Sequence, residues 1–145
     1  MDVTLREITK DTFGEVCRLD VAPEQKGFVA TNAVSMAQAN FHEDAWFRAI
    51  YADDTIVGFV MLSDVPEKAE YFLWRFMIDR KYQGKGYGRR AIEALKAHVR
   101  TRPNAEHLYV SYKKGEGGPE GFYARCGFEP TGEMEEGEHL ARVKL

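Results

Sequence analysis

Residues Tyr82-Gln83-Gly84-Lys85-Gly86-Tyr87-Gly88-Arg89-Arg90 combine three glycines with three basic side chains in one short stretch. Glycines admit left-handed backbone and leave N–H groups free, and adjacent cations add attraction for an anion. Just before this stretch, Tyr71-Phe72-Leu73-Trp74-Arg75-Phe76-Met77-Ile78 reads as a buried strand, rich in aromatic and bulky apolar residues. Just after it, Ala91, Ile92, Leu95 and Val99 recur at helical spacing. A glycine-rich basic turn between a strand and a helix N-terminus suits a phosphate. Lys85, Arg89 and Arg90 could also do no more than solvate a helix start.

Three phosphate-loop patterns compete for the stretch. A dinucleotide fingerprint needs GxGxxG; Gly84 and Gly86 fit, but position 89 is arginine, and no acid ends a following strand in the usual place. No segment supplies a Walker GxxxxGK[ST]. What remains is Gln83-x-x-Gly86-x-Gly88, which resembles the Q/RxxGxG/A motif of the GNAT superfamily of N-acetyltransferases. In that superfamily the motif cradles the pyrophosphate of acetyl-coenzyme A. Downstream, Phe122-Tyr123-Ala124-Arg125-Cys126-Gly127-Phe128 is similar to the family's aromatic-tyrosine pair followed by Gly-Phe. Glu24-Gln25, Phe28-Val29-Ala30-x-Asn32-x-x-Ser35 and Trp74-Arg75-Phe76-Met77-Ile78-Asp79 resemble its bacterial diamine/spermidine N-acetyltransferase-like branch. The resemblance covers nearly the whole chain and implies an α/β GNAT fold: a single mixed, mostly antiparallel sheet, a central parallel strand pair splayed at a bulge, and about four flanking helices.

Acetyl transfer to an amine needs a held donor, a neutral amine, a stabilised oxyanion and a proton for the departing thiolate. The resemblance implies direct attack without a covalent enzyme intermediate, with acetyl-CoA as co-substrate and no metal. It places the pyrophosphate on Gln83, Gly84, Lys85, Gly86, Tyr87, Gly88 and Arg89, and the pantetheine arm on the backbone of Phe76, Met77 and Ile78. An N–H near Phe76 or Met77 would be the oxyanion donor, whereas the side chains of Met77 and Val110 read as core. Glu116 stands where many relatives place an asparagine against the cofactor arm.

Tyr123 is the expected general acid, because a phenol with pKa about 10 keeps its proton at neutral pH. A core aromatic beside Phe122 and Phe128 is the plainer alternative. Glu24, with Glu70 and Glu116 as alternatives, is the expected proton acceptor for the amine; each also reads as a solvated surface acid. A cationic acceptor favours acidic and aromatic walls, which Asp20, Glu24, Glu43, Phe28, Tyr71 and Trp74 could supply. Arg75 opposes a purely cation-seeking pocket unless strand alternation turns it away from Trp74. The expected acceptor is a primary amine of a small molecule, a polyamine among the candidates. An amino acid, an antibiotic or a protein amine are alternatives, as is a silent acyl-CoA sensor.

These residues need a scaffold. Strands are expected over 3–8, 46–52, 55–63, 71–78, 107–111, 128–134 and 139–145, with a tight hairpin at Asp53-Asp54. Helices are expected after Thr9 or Asp11 with Phe13, Val16 and Cys17 on one face, over 35–43 from a Ser35/Gln38 capping box, after the glycine loop as far as Pro103, and over 120–125. The strands before and after the long helix should lie parallel.

The chain of 145 residues suits one domain, and 44% apolar with 30% charged residues argues against disorder. A net charge of −3 gives no nucleic-acid signature. Cys17 and Cys126 read as buried free thiols, and His42, His98, His107 and His139 lack metal-ligand spacing. No apolar run suits a bilayer, so the expectation is a cytoplasmic enzyme without membrane partner, forming a homodimer by family resemblance.

Overall fold

The computed structural model describes residues 2–145. Apolar and β-branched runs build a seven-stranded sheet in the order β1-β2-β3-β4-β5-β7-β6. The strands are β1 Val3–Arg6, β2 Ala45–Ala52, β3 Thr55–Val65, β4 Glu70–Ile78, β5 His107–Tyr112, β6 Glu129–Glu135 and β7 Glu138–Lys144. The helices are α1 Phe13–Arg18, α2 Asn32–Ala39, α3 Tyr87–Arg100 and α4 Glu120–Arg125. Every strand pair is antiparallel except β4 with β5. This is the mixed α/β architecture expected from the sequence.

The sheet separates two apolar clusters. Ala91, Ile92, Leu95 and Val99 of α3 pack against Ile50, Leu62, Leu73 and Leu108. On the other side Val16 of α1 joins Phe59, Met61 and Met77. Each fully buried aliphatic side chain contributes about 1.5–3 kcal/mol, so α3 is firmly anchored and its N-terminus is a fixed platform.

Local chemistry corrects several boundaries. Helix α2 starts at Asn32, where the Thr31 hydroxyl accepts from Val34 N–H at 3.3 Å. Ser35 therefore lies inside the helix and donates to the Thr31 carbonyl instead of forming a capping box. The helix gives way after Ala39 to tight turns in which Asn40, Phe41 and His42 bond three residues back. Strand β1 stops at Arg6, where its pairing with Ala49 ends. In α1 only Val16 is fully buried, whereas Phe13 is 54% exposed.

The parallel pairing of β4 with β5 covers just Phe72↔Tyr109 and Leu73↔Val110, and beyond it the strands diverge. At the same level the β3–β4 register shifts: Leu62 faces Leu73 and Met61 faces Arg75, leaving Trp74 as the extra residue of a bulge. That residue resets the alternation. Leu73 and Phe76 pack with the α3-side cluster, while the Trp74 ring meets His42 and Arg75 Nη2 donates to Gln38 Oε1 of α2 at 3.1 Å. Strict alternation would have turned Arg75 away from Trp74. The bulge carries both toward α2.

Candidate active site

The loop after β4 is fixed from below. The buried carboxylate of Asp79 accepts from Lys81 N–H at 2.9 Å and from Asp20 N–H at 3.0 Å. Gly84 (φ 77°) and Gly86 (φ 84°) are left-handed, and a Cβ on either would meet no atom within 4 Å. Backbone conformation, not crowding, calls for glycine there, and it leaves room above the loop. Gly86 begins α3, whose first internal bond runs from Arg90 N–H to the Gly86 carbonyl. In the first turn of an α-helix the N–H groups lie outside the helix's own ladder, at the positive end of its dipole.

Gly84, Gly86, Tyr87, Gly88 and Arg89 border a cleft of about 1450 Å³ that opens where β4 and β5 part. Lys85 does not; it borders a shallow depression of about 150 Å³ with Asp53 and Thr55. The Gln83 amide is committed elsewhere. Its Nε2 donates to the Ile78 carbonyl and to Gln25 Oε1, both at 2.8 Å, and its Oε1 accepts from Gln25 Nε2 at 3.2 Å.

Backbone direction sorts the β4 residues. Asp79 N–H bonds the Val57 carbonyl of β3 at 2.8 Å, and a Cβ on Gly58 would collide with the Met77 carbonyl. Peptide groups alternate along a strand, so those of Met77 face β3 while those of Phe76 and Ile78 face the cleft. No strand pairs with Phe76 on that side, since the β5 pairing ends at Leu73. The Met77 and Val110 side chains are buried, as expected; Asn32 Nδ2 reaches Met77 Sδ at 3.6 Å.

Tyr123 stands on α4 at the cleft wall, 7% exposed, amid Phe122, Phe128 and Tyr112. Burial first, then its neighbours Cys126 and Glu138, push its phenol well above the usual tyrosine value. It keeps its proton across neutral pH. Tyr123 is thus packed as a core aromatic and also borders the cleft.

The rest of the cleft wall is built from residues that the sequence only partly indicated. Phe28, Trp74 and Glu70 line the cleft as expected. Tyr71 does not: it is 0% exposed on the opposite face, donating to the Pro103 carbonyl at 2.6 Å. Asp20 lies outside the lining, paired with Lys26 at 3.1 Å and accepting Arg80 N–H on its carbonyl. Glu24 packs on Gly117, and neither it nor Glu43 or Glu116 borders the cleft among the described residues. Asp44, Glu135, Glu136 and Glu138 do. The β6–β7 turn brings three of these there through the pairing of β7 on β5, a long-range register with no local sequence signal. Arg75 also lines the cleft; burial lowers its pKa, Glu138 opposes this, and its Nε has no hydrogen-bond partner among the described residues.

Comparison with known proteins decides what this arrangement belongs to. The model of the Acetyltransferase (GNAT) family matches residues 4–128. The chain belongs to the GNAT family. Among curated relatives, spermine/spermidine N(1)-acetyltransferase of Bacillus subtilis is 27% identical, covering 99% of each chain. A solved PaiA N-acetyltransferase from Thermoplasma acidophilum, in complex with coenzyme A, superposes with TM-score 0.74 at 15% identity over 100% of both chains. An acetyltransferase from Thermus thermophilus superposes with TM-score 0.77 at 16% identity, covering 100% of this chain and 98% of its own. The last two likenesses speak for the fold.

As a GNAT N-acetyltransferase the chain takes acetyl-CoA as co-substrate. Its residues fit that group: two left-handed glycines with open space above them, the positive N-terminal end of α3, and Arg89 bordering the cleft. Among the described residues no three His, Cys, Asp or Glu side chains cluster closely enough to hold a metal.

Proposed function

We propose that this GNAT enzyme acetylates a primary amine of a small polycation of the polyamine class, by direct attack of the amine. The observation that carries the reading is the charge of the acceptor end. Asp44, Glu70, Glu135, Glu136 and Glu138, from separate parts of the chain, border the same cleft as Trp74 and Phe28. Carboxylates and aromatic faces together attract an extended cation. Of the cations bordering the cleft, Arg89 and Arg125 belong to α3 and α4, whereas Arg75 of β4 and Lys113 just after β5 stand among the acids, five carboxylates to two cations. The name of the Bacillus subtilis relative supports the same substrate class.

Acetyl-CoA supplies an activated acetyl thioester. The Phe76 N–H, facing the cleft with no strand partner, is the donor for the carbonyl oxygen as it gains charge. The new C–N bond forms as the C–S bond breaks, and Tyr123 gives its proton to the departing sulfur. Glu138 accepts the proton released by nitrogen, through water. Its charge reaches both Tyr123 and Arg75, and Ser111 Oγ donates to it at 2.9 Å. Glu24, packed on Gly117, is less suited to that task. Free thiols at Cys17 and Cys126 suit a reducing compartment such as the cytoplasm, and the family resemblance supports a homodimer.

A second reading follows from Arg75. A guanidinium at the cleft wall with an unpartnered Nε favours an acceptor bearing a carboxylate, such as an amino acid. A thiol-release assay with acetyl-CoA separates the readings. Release with spermidine and spermine well above that with amino acids is expected; the reverse order would overturn the polyamine assignment.

A further inference from the structure

Residues 22–30 cross from one side of the cleft to the other. On the donor side Gln25 and Gln83 exchange amide hydrogen bonds, and Gln25 Oε1 also accepts from Ala22 N–H at 3.1 Å. Through Gln83 the same network reaches the Ile78 carbonyl at the end of β4. On the far side the segment lies on the glycine-rich turn before α4. A Cβ on Gly118 would sit 2.8 Å from the Phe28 ring, and one on Gly117 would sit 3.0 Å from the Glu24 carbonyl. Gln25, Phe28 and Val29 border the cleft. The segment is a strap fastened at both edges, and on the donor side the Gln25–Gln83 amide pair ties it to the loop, beside the Lys26–Asp20 ion pair and the packing of Val29.

We propose that Gln25 is the latch of this strap, a positioning residue that couples the acceptor wall to the phosphate loop, so that filling the loop steadies the strap. This rests on the donor assignment made above. Gln83 bridges loop and strap, so an anion held on the loop further restrains the amide on which Gln25 closes. Coupling between two sites is reciprocal: a steadied strap also raises affinity in the loop. The arrangement needs both a donor and an acceptor on residue 25, which an amide has and a carboxylate lacks.

The test is hydrogen exchange of the full chain over residues 23–28, with and without coenzyme A, in wild type, Gln25→Ala and Gln25→Glu. Coenzyme A should slow exchange there about tenfold in wild type, the worth of one to two net hydrogen bonds. Gln25→Ala should lose that slowing while melting within a few degrees of wild type. Gln25→Glu, which keeps an acceptor for Ala22 but cannot donate to Gln83, should fall between. Equal slowing in wild type and Gln25→Ala overturns the latch, as does no slowing in wild type with coenzyme A bound. If no amine is acetylated but the slowing follows this order, the acetyl-acceptor reading fails and the latch stands.

Discussion

The ring of Phe122 lies 3.1 Å from where a Cβ on Gly88 would stand. This contact joins the two motifs on which the sequence reading rested. Gly88 in the first turn of α3 leaves the space that Phe122 of α4 fills, and Phe122 in turn stacks on Phe76 with ring centroids 5.6 Å apart. The phosphate loop, the cleft-facing part of β4 and the helix of Tyr123 are thereby set against one another.

Gly88→Ala should push Phe122 aside and shift Tyr123 with it. Overpacking of this kind costs about 1–3 kcal/mol. The melting temperature should drop by several degrees and turnover should fall about tenfold or more, read by thermal denaturation and thiol release. A variant equal to wild type in both would show that the contact is slack.

The acids at the acceptor end should act on the acceptor and not on the donor. Glu136→Gln, at the turn between β6 and β7, should raise KM for spermidine a few-fold and lessen its dependence on salt, because rim charges act through screened attraction. Coenzyme A affinity by calorimetry should not move. A change in coenzyme A affinity with KM for spermidine unaltered would place Glu136 at the wrong end of the cleft.

His98 sets an acid limit on stability. It stacks on Trp46 at 4.2 Å, and burial lowers its pKa from 6.5, with Arg102 and Arg48 adding to the effect and Asp64 opposing it. A folded value below the unfolded one means that the contribution of His98 to stability is complete above pH about 6.5. It is lost as pH falls toward the depressed folded value, because the unfolded chain takes up the proton first. His98→Phe keeps a ring on Trp46 and removes the titration. The fall in melting temperature between pH about 7.5 and about 5 should be smaller in this variant than in wild type; an unchanged fall would assign the acid sensitivity to other groups.

The parts of the site that were legible in sequence are those fixed by local rules. Gly84 and Gly86 announce a turn because left-handed backbone favours glycine. The spacing of Ala91, Ile92, Leu95 and Val99 announces the face on which α3 is buried. Tyr71 was misplaced because strand identity alone does not say which face an aromatic takes, and here it fills the core under Pro103. The sequence leaves the direction of Arg75 open because the bulge at Trp74, which adds one residue to β4, is marked by no residue type in that run. Glu138 was missed because its place depends on β7 pairing with β5, a register set by the whole sheet.

The central claim is that the cleft between β4 and β5 performs acetyl transfer with Tyr123 as proton donor. Tyr123→Phe preserves the ring packed among Phe122, Phe128 and Tyr112 and removes only the hydroxyl. The decisive measurement is acetyl-CoA thiol release with spermidine by wild type and Tyr123→Phe, beside coenzyme A affinity by calorimetry. The predicted result is a fall in kcat of about 100-fold or more with coenzyme A affinity unchanged; turnover equal to wild type would contradict the account.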